Sequence, residues 1–126
     1  MGTYQIIFNS KQMDVIEHII FEYDTICHFG LDYPCLYYKE DTQEGLEYAG
    51  LSIYGDELDI QTERNMEYLI KFVQRDIRKL KKMIKNSSFD SLISEYKQDL
   101  KIHNQVLKIL KNEKPTFQKR IDKEVA

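Results

Sequence analysis

The chain has 126 residues, 42% of them hydrophobic and 31% charged, with a formal net charge of −3. That length and balance suit one domain, residues 1–126, with a modest buried core, and they argue against general disorder. No run approaches the ~18 apolar residues of a membrane span, and Met1–Gln5 lacks the basic-then-apolar pattern of a secretory signal. With only Cys27 and Cys35 as thiols, the expectation is a reduced, cytoplasmic protein without a membrane partner.

In chain order, Thr3–Phe8 is β-branched and aromatic and predicts a short strand. Ser10 is placed to cap a helix of roughly three turns, in which Met13, Ile16, Ile19, Ile20 and Tyr23 form the apolar stripe. Thr25–Phe29 predicts a second strand, ended by Gly30, and Leu31–Pro34 a turn, because Pro34 biases Tyr33 away from helix. Cys35–Lys39 predicts a third strand, and Asp41–Gly45 a hairpin loop with glycine at its end. Leu46–Tyr54 predicts a fourth strand with Gly50 at a bulge or close approach, and Glu57–Ile60 a short fifth after the turn at Gly55-Asp56.

The second half is helical in pattern. Thr62 is an N-cap candidate, with Glu63 suited to the positive end of the helix dipole. Met66, Ile70, Val73, Ile77, Leu80 and Ile84 then alternate steps of four and three, an unbroken heptad seam. Asn86-Ser87-Ser88 breaks it: Asn86 tolerates a left-handed C-cap, and Ser87 with Asp90 resembles a capping box. The returning seam is Phe89, Ile93, Tyr96, Leu100, His103, Leu107 and Leu110, and Pro115 opposes simple continuation. Residues 113–126 are expected to be a mixed-charge tail, with a last helical turn around Phe117 and Ile121. The predicted fold is α+β: a small antiparallel sheet with one short helix in residues 1–60, then a long antiparallel helical hairpin over 61–112.

The seams widen away from the turn, through Leu69 and Phe72 in one helix and Ile102, Val106 and Ile109 in the other. Two helices alone cannot bury that much apolar surface. The sheet is expected to cover the first helix and a second protomer the other, giving a homodimer or higher oligomer.

Charge is split between the halves. Residues 1–60 carry two lysines against twelve carboxylates, a net of −10; residues 61–126 carry sixteen cations against nine carboxylates, a net of +7. Arg75, Arg78, Lys79, Lys82 and Lys85 recur every three or four residues and share one helix face, with Lys81 beside them and Lys97 and Lys101 returning on the partner helix. Such a face binds phosphate through charge and, for arginine, through a bidentate fork; it is equally the pattern of a solvated outer face. The acidic half would repel a long polyanion, which argues against nucleic acid and leaves a small nucleotide-derived anion as the fitting ligand. Arg75, Arg78 and Lys82 are the candidates to neutralise phosphate. Asn86 is the candidate to reach ribose or base, and Phe89 a stacking wall if it turns out of the seam.

Catalytic and metal signals are weak. Cys27 and His28, adjacent on a predicted strand, would point to opposite faces, and no Cys-x-x-Cys or His-x-x-x-His pair supplies ligands, so no metal or cofactor is expected. A Cys–His nucleophile from Cys27 or Cys35 with His18 or His28 is not demanded by any spacing. His103, on the seam, is expected to be a satisfied interface histidine that makes the interface pH-sensitive. Neither phosphate-binding glycine motif, the P-loop nor the Rossmann fingerprint, is present.

The segments Tyr4–Phe8, Cys35–Ile60 and Thr62–Asn112, a sheet-bearing half followed by two long helices, resemble in layout the phage anti-Thoeris sponge proteins. The resemblance implies a dimeric, non-enzymatic protein that sequesters cyclic ADP-ribose isomers in the host cytoplasm; no ligand-binding residue is carried over from it. A protein–protein inhibitor or scaffold using the acidic half is the alternative.

Overall fold

Asn9 sets where the first helix starts. Its side-chain Oδ1 accepts from the Gln12 amide at 2.9 Å, and its own amide donates to Gln12 Oε1 at 3.1 Å. This reciprocal box caps the helix one residue earlier than expected, and Ser10 becomes the first helical residue. The computed structural model describes residues 4–28, 38–41, 46–48, 51–60 and 63–125. In chain order these form β1 (Tyr4–Ile7), α1 (Ser10–His28), β2 (Tyr38–Asp41), β3 (Leu46–Tyr48), β4 (Leu51–Tyr54), β5 (Glu57–Ile60), α2 (Glu63–Asn86) and α3 (Asp90–Val125).

The strands make one antiparallel sheet in the order β1-β5-β4-β3-β2. The short fifth strand is internal, second from the β1 edge, with Leu58 opposite Ile6 on one side and Ile53 on the other. Side chains alternate across a strand, so Ile6, Ile53, Leu58 and Ile60 share the buried face, while Ile7 and Glu57 point the other way. Gly55 joins β4 to β5 at φ +64°, the left-handed conformation that a tight two-residue hairpin asks of its first central residue. Phe8, just past β1, donates its amide to the Asp56 carbonyl at 2.9 Å and closes that edge.

Four further sequence expectations are corrected. Thr25 to His28 continue α1, which runs 19 residues, so Cys27 and His28 lie on a helix. The modest β preference of Thr25 and Ile26 does not outweigh extending a nucleated helix, where each further residue adds a hydrogen bond. Leu46–Tyr54 is two strands, paired with Tyr48 opposite Leu51. Alternation suits one long strand or two short ones equally, and Gly50 lies between them. Asn86 takes no left-handed conformation, since no described non-glycine residue has positive φ. Instead the Ser87 amide continues the helical pattern to the Met83 carbonyl, and Ser87 Oγ accepts from the Phe89 amide at 3.3 Å rather than boxing with Asp90. The fourth correction is at Pro115, which lies inside a 36-residue α3.

A proline inside a helix costs about 3 kcal/mol, through a lost amide donor and a ring clash. Here Pro115 is exposed, and so is Lys111, whose carbonyl is the one left without a helical donor. The turn beyond it is held by the core: Phe117 is 1% exposed and Ile121 packs against the same cluster. Tyr4 closes that contact, edge-on to Phe117 at 5.5 Å, hydrogen-bonded to Glu113, and with the Arg120 guanidinium 6.0 Å over its ring. Burial and the Glu113 carboxylate push the Tyr4 phenol up to about 12. Residues 113–125 are therefore part of the helix and not a tail.

The hairpin itself is as expected, and α2 runs 24 residues. Met66, Leu69, Ile70, Phe72, Val73, Ile77 and Leu80 of α2 are buried, as are Val106 and Leu110 of α3. α1 packs against α3 and, over a shorter stretch, α2, with Met13, Ile16, Ile19 and Ile20 at most 3% exposed. It thus lies beside the second stripe of α3, where Val106 is fully buried and Ile102 and Ile109 half-buried, so that stripe does not require a second protomer. The predicted turn at Leu31–Pro34, the strand start at Cys35–Tyr37, the loop tip at Thr42–Gly45, Gly50 and the Thr62 cap lie outside the described residues.

Candidate functional site

The heptad seam turns one face of α2 into the core and thereby fixes what the other face presents. Lys71, Arg75, Arg78, Lys79 and Lys82 line a cleft of about 590 Å³, with Phe72 at its apolar edge. Among the described lining residues there are five cations and no carboxylate. Three of the five sequence candidates, Arg75, Arg78 and Lys82, are brought together there. Arg75 is half-buried, whereas Arg78, Lys79 and Lys82 are exposed along successive turns. Fixed cations on one rigid helix concentrate positive potential, and the arginines add planar forks that match phosphate oxygens.

Asn86 and Phe89 are not among the described lining residues. Asn86 closes α2, exposed, and Phe89 turns out of the seam at the hairpin turn, 65% exposed. The nearest aromatic in the cleft, Phe72, is only 2% exposed and lies 6.0 Å from Tyr68 in a stacked arrangement, so it shapes the wall and offers no open face. Lys97 and Lys101 also go elsewhere, to a separate groove on α3 with Leu100, Asn104, Gln105 and Lys108. Lys71 completes the cleft. It stands four residues before Arg75, the spacing that extends the basic row by one turn.

A second polar constellation occupies the junction of α1, α2 and α3. The His103 ring is 13% exposed; its Nδ1 lies 2.7 Å from the Asp99 carbonyl and must donate, since that oxygen only accepts. Its Nε2 then faces Asp76 Oδ2 at 4.0 Å. From α1, His18 Nε2 stands 3.5 Å from Glu22 Oε2, and Glu22 Oε1 is 3.4 Å from Lys79 Nζ. Burial, with Glu22's charge added, pushes the Asp76 carboxyl above its ordinary value, and Lys79, His103 and His18 pull it back. The seam position of His103 was legible in the sequence, but its partners were not, because His18 and Glu22 arrive from a different helix. Among the described residues no three His, Cys, Asp or Glu side chains converge as a metal site.

At the sheet, Asp59 is 8% exposed, and its Oδ1 has no hydrogen-bond partner among the described residues. Partial burial and the neighbouring Asp59 and Asp56 raise the Glu57 carboxyl above its ordinary value. Among the described residues no helix is long and apolar enough to cross a membrane. Comparison with family models, curated proteins and solved structures gave no match to this chain.

Proposed function

We propose that this protein captures a small, multiply charged, nucleotide-derived anion in the α2 cleft, without making or breaking a bond in it. The observation that carries this reading is the convergence of Lys71, Arg75, Arg78, Lys79 and Lys82 on one cleft. The cleft's volume falls within the range of small-molecule sites. Its described lining supplies positive charge and N–H donors, the chemistry of retention, and no histidine, cysteine, hydroxyl or carboxylate to act as nucleophile or base.

In the finer form of the proposal, the ligand is a cyclic ADP-ribose isomer or related cyclic nucleotide, held in the cytoplasm of a phage-infected host by a homodimeric anti-defence protein. Met83, Phe89 and Leu92, exposed at the hairpin turn, are a surface that a second copy would cover. Light scattering that reports a monomer at micromolar concentration removes the dimer from the proposal.

Calorimetric titration with cyclic ADP-ribose isomers and cyclic dinucleotides tests the capture. Binding is expected to weaken with salt and to fall at least about tenfold in an Arg78→Glu/Lys82→Glu double variant of unchanged thermal stability. Mass spectrometry of ligand released by denaturation should return it unchanged. No binding heat for any of these ligands overturns the proposal, and stoichiometric retention of a host protein would favour the inhibitor reading of the acidic half.

A further inference from the structure

The basic cleft and the three-helix junction share one residue, Lys79. An α-helix turns about 100° per residue, which places Arg75, Arg78 and Lys82 on the outer face of α2, Asp76 and Leu80 toward the junction, and Lys79 on the border between them. The Lys79 ammonium lies 3.4 Å from Glu22 Oε1, with the lysine 49% and the glutamate 32% exposed. An ion pair so open to water is weak, and Glu22 is already shared with His18. A multiply charged anion in the cleft therefore competes well for the same ammonium.

We propose that Lys79 exchanges between Glu22 and the captured anion, so that ligand binding at the cleft is coupled to proton uptake at the junction. The proposal rests on the cleft being the anion site and adds how its occupancy is sensed and regulated. When Lys79 turns to the ligand, Glu22 keeps, among the described residues, His18 at 3.5 Å, and Asp76 faces His103 at 4.0 Å with one cation fewer nearby. Carboxylates that lose a neighbouring positive charge favour proton binding among the titratable groups around them.

The other groups on the packed helices do not reverse that sign. From α1, Lys11 and Asp14 flank the adjoining groove with opposite charges, and from α3 Asp99 contributes a further carboxylate beside His18 and His103. On α2, Lys79 is one of the charges that hold the buried Asp76 carboxyl down, so its departure again favours a bound proton. Anion binding is thus expected to take up protons, and affinity to rise as pH falls.

Cyclic di-AMP is the probe, because its phosphodiesters keep constant charge across the range used. Titration by calorimetry in two buffers of different ionisation heat should show net proton uptake, and affinity about threefold tighter near pH 6 than near pH 8. Glu22→Gln frees Lys79 beforehand; it should bind more tightly near pH 8 and lose most of the pH dependence. Lys79→Met should bind more weakly and show the same loss, which keeps the test decisive if either variant folds poorly. Binding with equal affinity at both pH values and no proton uptake overturns the coupling and leaves capture intact. Coupling that survives in both variants also overturns the role of Lys79. Absence of binding at any pH, both for cyclic di-AMP and for the cyclic ADP-ribose isomers, overturns capture and coupling together.

Discussion

The two ends of the α2–α3 hairpin carry one continuous seam and bury it to different depths. At the open end Met66, Leu69, Val73, Val106, Leu110 and Phe117 are at most 1% exposed, enclosed by α1 and the sheet. At the turn end Met83 is 42%, Leu92 36% and Phe89 65% exposed, and Ile84, Ile93 and Tyr96 are only half-buried. Heptad spacing assigns a residue to a face, whereas a third layer decides how far that face is removed from water. Apolar burial and exposed charge are accordingly separated along the molecule. The open end holds the fold together, and the exposed face of α2 toward the turn carries the charges.

The sharpest way to break this comparison is to truncate one aromatic at each end. Phe117→Ala is expected to lower unfolding free energy by about 3–5 kcal/mol, and Phe89→Ala to change it by no more than about 0.5 kcal/mol, both read by urea denaturation. Equal losses would mean that the turn end is covered after all. Pro115→Ala comes next: it restores an amide donor in mid-helix and should stabilise the protein by about 1–3 kcal/mol on the same assay. No gain would show that the helix gives up little at that point.

Tyr4→Phe should cost about 1 kcal/mol by removing the bond to Glu113. It also carries a pH signature. The folded phenol, raised to about 12, keeps its proton while an unfolded one ionises from about pH 10, so native stability falls as pH rises through that window. The variant should lose that alkaline slope in thermal melts. The smallest effect is expected at the sheet. Because the Glu57 carboxyl is raised, its charged form disfavours the fold at neutral pH and its neutral form in acid does not. Glu57→Gln should therefore raise the melting temperature slightly at pH 7 and leave it unchanged near pH 3.

Much of the hairpin was legible because helix period and seam agree over many turns, and α2 shows that agreement from Met66 to Leu80. The errors cluster where local preference and long-range packing disagree. Pro115 is a strong local stop, and no local rule shows that Phe117 and Ile121 gain enough by burial to continue past it, roughly 1.5–3 kcal/mol for each large side chain. The Asn9–Gln12 box was present in the sequence as an amide pair three residues apart, yet Ser10 is an equally good cap by type. At the cleft, helical spacing sufficed for Arg75, Arg78 and Lys82, since all lie on one element. It failed for Asn86 and Phe89, which the hairpin turn carries away from that face. The junction around His103 was beyond reach for a different reason: its members come from three helices, and only tertiary structure sets their separation.

The contact between Tyr4 and α3 joins residues 109 positions apart in the chain. During synthesis the first strand therefore emerges long before the turn of α3 that shields it has been translated. Until Glu113 and Phe117 clear the ribosome, the aromatic edge of β1 is left uncovered, and a nascent chain stalled before that point would present it to chaperones or proteases. The turns of α3 around Glu113 and Phe117 thus act as a clasp that closes only after they have left the ribosome.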